Sequence, residues 1–183
     1  MVGFSDPLGR IAIVVRAILT FEHPVLREKA KKVTRIDSSI QRLLDDLTET
    51  MLDAPGAGLA ANQIGVALRV CVVKGDDKQI WGLVNPELVK KDGSQVGYEG
   101  CLSKPGWVGE VERAETVVVK GRNRHGKEVR IKSSGFTARA FQHELDHLDG
   151  VLFTDRLTSL DTLQRVEELV GEEREQAVAA ASG

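Results

Sequence analysis

Between Asp37 and Pro55 the apolar residues fall at Ile40, Leu43, Leu44, Leu47 and Met51, steps of three and four that place them on one face of a helix. Ser38 with Gln41 reads as a capping box at its start, and Pro55-Gly56 as its end. From Val66 onward the period changes. The runs VALRVCVV, QIWGLV, ELVKK, GEVER, ETVVVKG and KEVRIK are short, rich in β-branched residues and separated by Gly, Asn-Pro or Asp-Gly, which predicts antiparallel strands through the middle third. A second helix begins near Ser134 or Thr137, runs through FTARAFQHELDHL and stops at Gly150. A third is predicted from about Leu160 to Ala177, ahead of a small AVAAASG tail. No internal repeat or Pro/Gly/Ser-rich linker divides the chain, so the pattern predicts one α+β domain over residues 1–183, with the second helix packed on the strands.

Composition narrows the class. The 183 residues are 42% hydrophobic, enough to bury a real core. Twenty-five Lys+Arg against 27 Asp+Glu leave a net charge of −2, so no basic field is available to hold DNA. No stretch approaches the ~18 apolar residues of a membrane span. The apolar run Ile11 to Val15 is broken by Arg16 and lacks both a basic leader and a cleavage pattern. A cytoplasmic, membrane-free protein is expected. Two cysteines, Cys71 and Cys101, are too few for a disulfide framework, and in a reducing compartment a lone cysteine matters more as a thiolate.

Chemistry concentrates in His143-Glu144-Leu145-Asp146-His147. An H-E-x-x-H pattern within a helix puts two imidazoles on one face, one turn apart, as divalent-metal ligands, and sets the intervening glutamate beside the ion as a base for bound water. Two histidines leave a tetrahedral site one protein ligand short. The metzincin pattern holds through Gly150 and then offers Phe153, which cannot bind a metal. Glu167 and Glu168 follow His147 at a thermolysin-like distance, but the stretch Asp161 to Glu175 carries six acids against two arginines and reads as a solvated helix face. The remaining candidates are cysteines. Cys71, among V-C-V-V, reads as core packing, whereas Cys101, between Glu99-Gly100 and Leu102-Ser103, reads as exposed backbone at a strand's end. His23 and His125 fall in predicted loops. The segment Gly56 to Gly65 lacks the lysine of a phosphate loop and follows a helix, so it reads most simply as a helix-terminating turn.

Taken together, G-A-G-L-A-A-N-Q, E-G-C-L-S and Q-H-E-L-D-H, in this order, resemble the signature of peptide deformylases over about Arg16 to Leu157. The resemblance implies antiparallel β-sheets around a central metal-binding helix, with an N-terminal and a C-terminal helix. It implies Cys101, His143 and His147 as metal ligands and Glu144 as general acid/base. Gln63 and the Leu102 backbone N–H would face the reacting carbonyl. The family generally uses Fe2+ and tolerates Zn2+, Ni2+ or Co2+. The implied reaction frees formate from N-formylmethionyl nascent peptides. Phe136, Ala140, His143 and His147 follow one another at steps of four, three and four, so the helix face bearing the histidines continues into an apolar strip suited to a methionine side chain. The implied substrate-binding set is Ala57, Gly58, Gly100, Phe136 and Ala140. Glu99 reads as a buried carboxylate beside a ligand, with Arg113 the partner that the resemblance implies, the pair orienting the site.

Three departures stand out. Lys104-Pro105-Gly106-Trp107-Val108 replaces a polar Glu-Gln-Arg stretch seen in some members, which makes the rim more apolar. The acidic C-terminal helix over 160–183 contrasts with the basic tail that docks some bacterial deformylases on the ribosome, so ribosome contact is expected to be weak, transient or differently placed. Residues 1–15 precede the family pattern and read as an N-terminal extension. Rival readings are an H-E-x-x-H metallopeptidase with Glu167 or Glu168 as third ligand, and a noncatalytic relative, against which Glu144 and Gln63 are both present.

Overall fold

The structure, a computed structural model, describes residues 14–54, 56–172, 175 and 178. Residues 1–13 of the extension expected over 1–15, Pro55 and most of the C-terminal tail lie outside the described residues.

The first predicted helix is α1 (Ser38–Asp53), and it buries Ile40, Leu44, Leu47, Thr50 and Met51. Its cap falls one residue ahead of the expected Ser38. The Asp37 carboxylate accepts from the Ser39 and Ile40 N–H groups, satisfying donors that the first turn leaves free. The segment after it is more than a turn: β1 (Gly58–Ala60) leads into a 3-10 turn at Ala61–Ile64.

Strand β1 opens a five-stranded antiparallel sheet with β2 (Val70–Lys74), β3 (Ile80–Asp92), β6 (Thr116–Arg122) and β7 (Glu128–Ser134), in the order β1-β2-β3-β6-β7. A second antiparallel sheet is formed by β4 (Gln95–Gly100), β5 (Trp107–Arg113) and β8 (Gln164–Arg165). QIWGLV and ELVKK, expected as two strands, are one. Asn85 takes a left-handed φ of 52°, and the register against β6 shifts between Val84 and Glu87. The Asn85 side chain bonds both the N–H and the C=O of Val33 (2.8 Å each), so the kink is held without ending the strand.

Helix α2 (Gly135–Leu148) packs on the opposite face of the first sheet from α1. Val70 and Val72 face α1 with Leu47 and Met51, while Cys71 and Val73 face α2 with Phe141 and Leu148. Strand β2 is therefore covered on both sides, which is why VCVV is apolar throughout. Each fully buried side chain of this size contributes ~1.5–3 kcal/mol. Cys71 is core packing, and burial pushes its thiol far above the usual range. Gly150 ends the turn after α2 with a φ of 75°, and a Cβ there would sit 2.5 Å from the Arg27 carbonyl oxygen.

The third predicted helix is contradicted over its described start. Residues 160–168 form a 3-10 turn, the two-residue β8 and a second 3-10 turn. Gln164 and Arg165 pair with Val108 and Trp107 on the edge of β5, and Leu169 is buried against Val108. Covering that sheet edge outweighs a helical preference that had only a solvated face to support it. Among the described residues no helix is long and apolar enough to cross a membrane.

Candidate functional site

Helix α2 is buried on nearly every side, so each polar residue on it needs a partner. For Arg139, His143 and His147 those partners come from β4 and the residue that follows it. Strand positions two apart, Gly97, Glu99 and Cys101, advance about 6.7 Å, and helix positions four apart, Arg139, His143 and His147, advance about 6 Å. The two repeats match rung for rung. Arg139 Nη1 donates to Gly97 O at 3.3 Å, His143 Nδ1 lies 3.0 Å from Glu99 Oε2, and His147 Nε2 lies 3.2 Å from Cys101 Sγ.

Cys101, His143 and His147 thus gather three ligand atoms within 4.8 Å of one another. Cys101 stands at the end of a strand as expected, but it is 3% exposed rather than open. One sulfur and two imidazoles are the donor set of a tetrahedral site with a position left open, in which ligand atoms stand about 3.5 Å apart. The electrostatics agree. Burial lowers His147 well below the ordinary imidazole range, with His143 adding to it. Burial also acts against a charge on His143, yet contact with Cys101 and Glu99 holds it well above that range. Neighbouring donors driven in opposite directions form a cluster suited to one positive charge. Phe153, where a metzincin would place its third histidine, stacks on the His143 ring with centroids 6.3 Å apart.

Glu99 is held on four sides. Arg113 grips both oxygens (2.8 and 3.0 Å), Arg139 donates to Oε1 at 3.0 Å and His143 meets Oε2. Burial would raise this carboxyl, but His143 and Arg113 outweigh it and hold it well below the usual range. Arg113 continues to Asp146 at 2.5 Å, which Arg156 also grips.

Glu144 is the opposite case. Burial, the largest influence, pushes it up to about 7, and its Oε2 is buried with no hydrogen-bond partner among the described residues. A buried carboxyl poised near neutrality beside a donor cluster is equipped to take and return a proton. Gly58 makes room for it, since a Cβ there would collide with Glu144 Oε1. Gln63 is oriented by the Ala60 N–H, which donates to its Oε1 at 2.8 Å. Its amide nitrogen then faces Ser103 Oγ (3.2 Å) and Cys101 Sγ (3.6 Å). Leu102 sends its side chain toward the α1 core.

A small cavity of about 30 Å³ beside His143 and Glu144 is lined by Ala57, Gly58, Gly100, Phe136 and Ala140, all five named from sequence, together with Tyr98, Glu99 and Arg139. Phe136 is 40% exposed and forms wall rather than core. Sequence reasoning missed Tyr98 and Arg139; for Arg139 the signal was its place four residues before His143. The rim carries cations over its aromatic rings: Lys104 lies 5.1 Å and Arg165 5.1 Å from the Trp107 ring. Glu167 and Glu168 are exposed and outside the donor cluster. A far larger cleft of about 1140 Å³ lies along α2 and holds none of the three donors. Its walls pair with one another through Arg69–Asp149, Lys32–Glu87 and Arg113–Asp146.

Comparison with known proteins converges on one family. Residues 15–163 match the family model described as polypeptide deformylase. A peptide deformylase of Dehalococcoides mccartyi strain CBDB1 is 53% identical over 155 residues, covering 84% of this chain and 93% of the relative. Among solved structures, the peptide deformylase of Thermotoga maritima superposes with a TM-score of 0.76 at 39% identity, covering 80% of this chain and 99% of that one. A Met-Ala-Ser-bound class I type b peptide deformylase of Acinetobacter baumannii does so at 0.75 and 34%, covering 80% and 100%. With the matched segment carrying the whole first sheet, β4 and β5 of the second and every member of the donor cluster, the chain belongs to the peptide deformylase family.

Proposed function

We propose that the chain removes the N-formyl group from N-formylmethionine at the start of newly made polypeptides, with Cys101, His143 and His147 holding one divalent ion and Glu144 as general acid/base. The observation that carries this reading is the convergence of a thiol and two imidazoles next to a buried carboxyl with one unpartnered oxygen. An ion held by those three side chains supplies Lewis acidity, which makes water nucleophilic near neutral pH.

Glu144 takes the proton of the attacking water as the new O–C bond forms, then delivers it to the amine nitrogen as the C–N bond breaks. The products are formate and a free amino terminus. The Leu102 backbone N–H and the Gln63 amide donate to the formyl oxygen as charge gathers on it. For Gln63 this means giving up a bond to Ser103 or Cys101. Glu99, gripped by Arg113, fixes the His143 tautomer through Nδ1 and leaves Nε2 for the ion. The methionine side chain enters the cavity between Phe136, Ala140 and Ala57, with Gly58 and Gly100 presenting main chain to the peptide. Among the described residues strand β1 pairs only with β2 in the sheet order, so its other edge can add such a strand. Fe2+ is the ion we assign to the cell, with Zn2+, Ni2+ or Co2+ as substitutes. The cytoplasm, where formylated chains arise, is its assigned compartment.

Metal content and formate release together test the reading. Cys101→Ala is expected to lose bound metal, while Glu167→Ala/Glu168→Ala retains it. Glu144→Gln should keep its metal and lose formate release by about 10³-fold. Metal retained in Cys101→Ala but lost in the double variant would overturn the ligand set in favour of a metallopeptidase-like site.

A further inference from the structure

We propose that Arg139 is a positioning residue for the metal site, locking α2 to β4 in the register that brings His143 and His147 to Cys101; this rests on the ligand set proposed above. The main chain of α2 packs chiefly on the first sheet, above all on β1 and β2. Cys101 directly follows β4 of the second sheet. The distance between thiol and imidazoles is therefore set by whatever ties the helix to that second sheet, and the ties are polar side chains.

Arg139 makes the broadest of them. It is 7% exposed, and its guanidinium donates to Gln95 O (3.3 Å), Gly97 O (3.3 Å), Val111 O (2.9 Å) and Glu99 Oε1 (3.0 Å). It thus clasps both β4 and β5 at once. It also completes Glu99, whose other acceptor positions are filled by Arg113 and His143. Arg139 is the first rung of the ladder whose second and third rungs are His143–Glu99 and His147–Cys101. Losing it removes the charge-assisted donors of one buried and two part-buried carbonyls and of one buried carboxylate oxygen, so the strand is free to shift against the helix.

The test uses the full chain loaded anaerobically with Co(II), comparing wild type, Arg139→Met and Arg139→Lys. Wild type should bind one equivalent with a thiolate charge-transfer band; without that, the ligand set and this proposal both fall. Arg139→Met is expected to bind Co(II) 10–100-fold more weakly, with displaced ligand-field bands and a lower kcat at nearly constant KM. Arg139→Lys, which can serve one or two of the four acceptors, should recover part of the affinity. Thermal unfolding of the metal-free variants reads stability separately. A lowered Tm with unchanged Co(II) affinity and spectrum would make Arg139 merely structural, and a KM effect alone would make it a pocket wall; either overturns the proposal. Should Arg139→Met not fold, an unaltered Co(II) spectrum and affinity in Arg139→Lys overturns it equally.

Discussion

Gly58 has no side chain at the point where one would collide with the Glu144 carboxylate. Gly58→Ala is therefore expected to displace that carboxylate without touching the metal donors. A displacement of this order costs about 100-fold in kcat, with metal content unchanged; full activity in the variant would show that the Glu144 position is not critical. At this scale the sequence was informative where chemistry imposes a spacing. His143, Glu144 and His147 were legible because ligands one helical turn apart have few other reasons to occur together. Cys101 was legible as a candidate third ligand from its local sequence, but its place in the ligand set and the Glu99–Arg113 pairing came only with the family resemblance, because neither carries a periodic signal of its own. Arg139 was not read at all. A mid-helix arginine is ordinarily solvated, and what buries it here is a second sheet brought close by tertiary packing.

Elements were legible where one face is buried against one partner. Helix α1 shows its apolar stripe in sequence, and β2 shows its double burial. The end of β4 was read at Cys101 but the strand itself was not delimited, because QVGYEG is weak in β-branched residues and is held by pairing with β5 along Gln95 to Gly100. Residues 160–168 were misread because their partner, the edge of β5, lies more than fifty residues away in sequence, whereas Gly171, Glu172 and Glu175 are helical as expected. Near that segment, Asp155 joins the 3-10 turn Phe153–Arg156 to the 3-10 turn Pro24–Arg27: it pairs with Arg27 and accepts the Leu152 N–H at 2.9 Å. Burial opposes its charge, but the Arg27 and Leu152 bonds outweigh this and lower its pKa. A group whose folded pKa is depressed contributes stability above its unfolded value of about 3.9 and loses it as the pH falls through the folded value. Asp155→Ala is expected to cost about 1 kcal/mol at pH 7, mostly through the lost backbone bond, since solvent screens the half-exposed ion pair. That is a fall in Tm of about 2–4 °C, and it should shrink below about pH 4. A difference that persists unchanged into acid would exclude the charge from the effect.

For the molecule as a whole, the net charge of −2 means that general attraction to RNA does not bring this chain to a ribosome. Co-sedimentation with ribosomes should be weak and salt-sensitive, and unaffected by removing residues 173–183. Strong binding that is abolished by that truncation would contradict this. The cut belongs there, because removing residues 160–172 would strip β8 and Leu169 from Val108 and confound docking with folding. The most direct measurement is formate release from formyl-Met-Ala-Ser by the anaerobically prepared, metal-replete chain. The expected result is one formate and one free amine per peptide consumed, abolished by chelation and by Glu144→Gln. Metal-replete protein that leaves the formyl peptide intact would contradict the central claim.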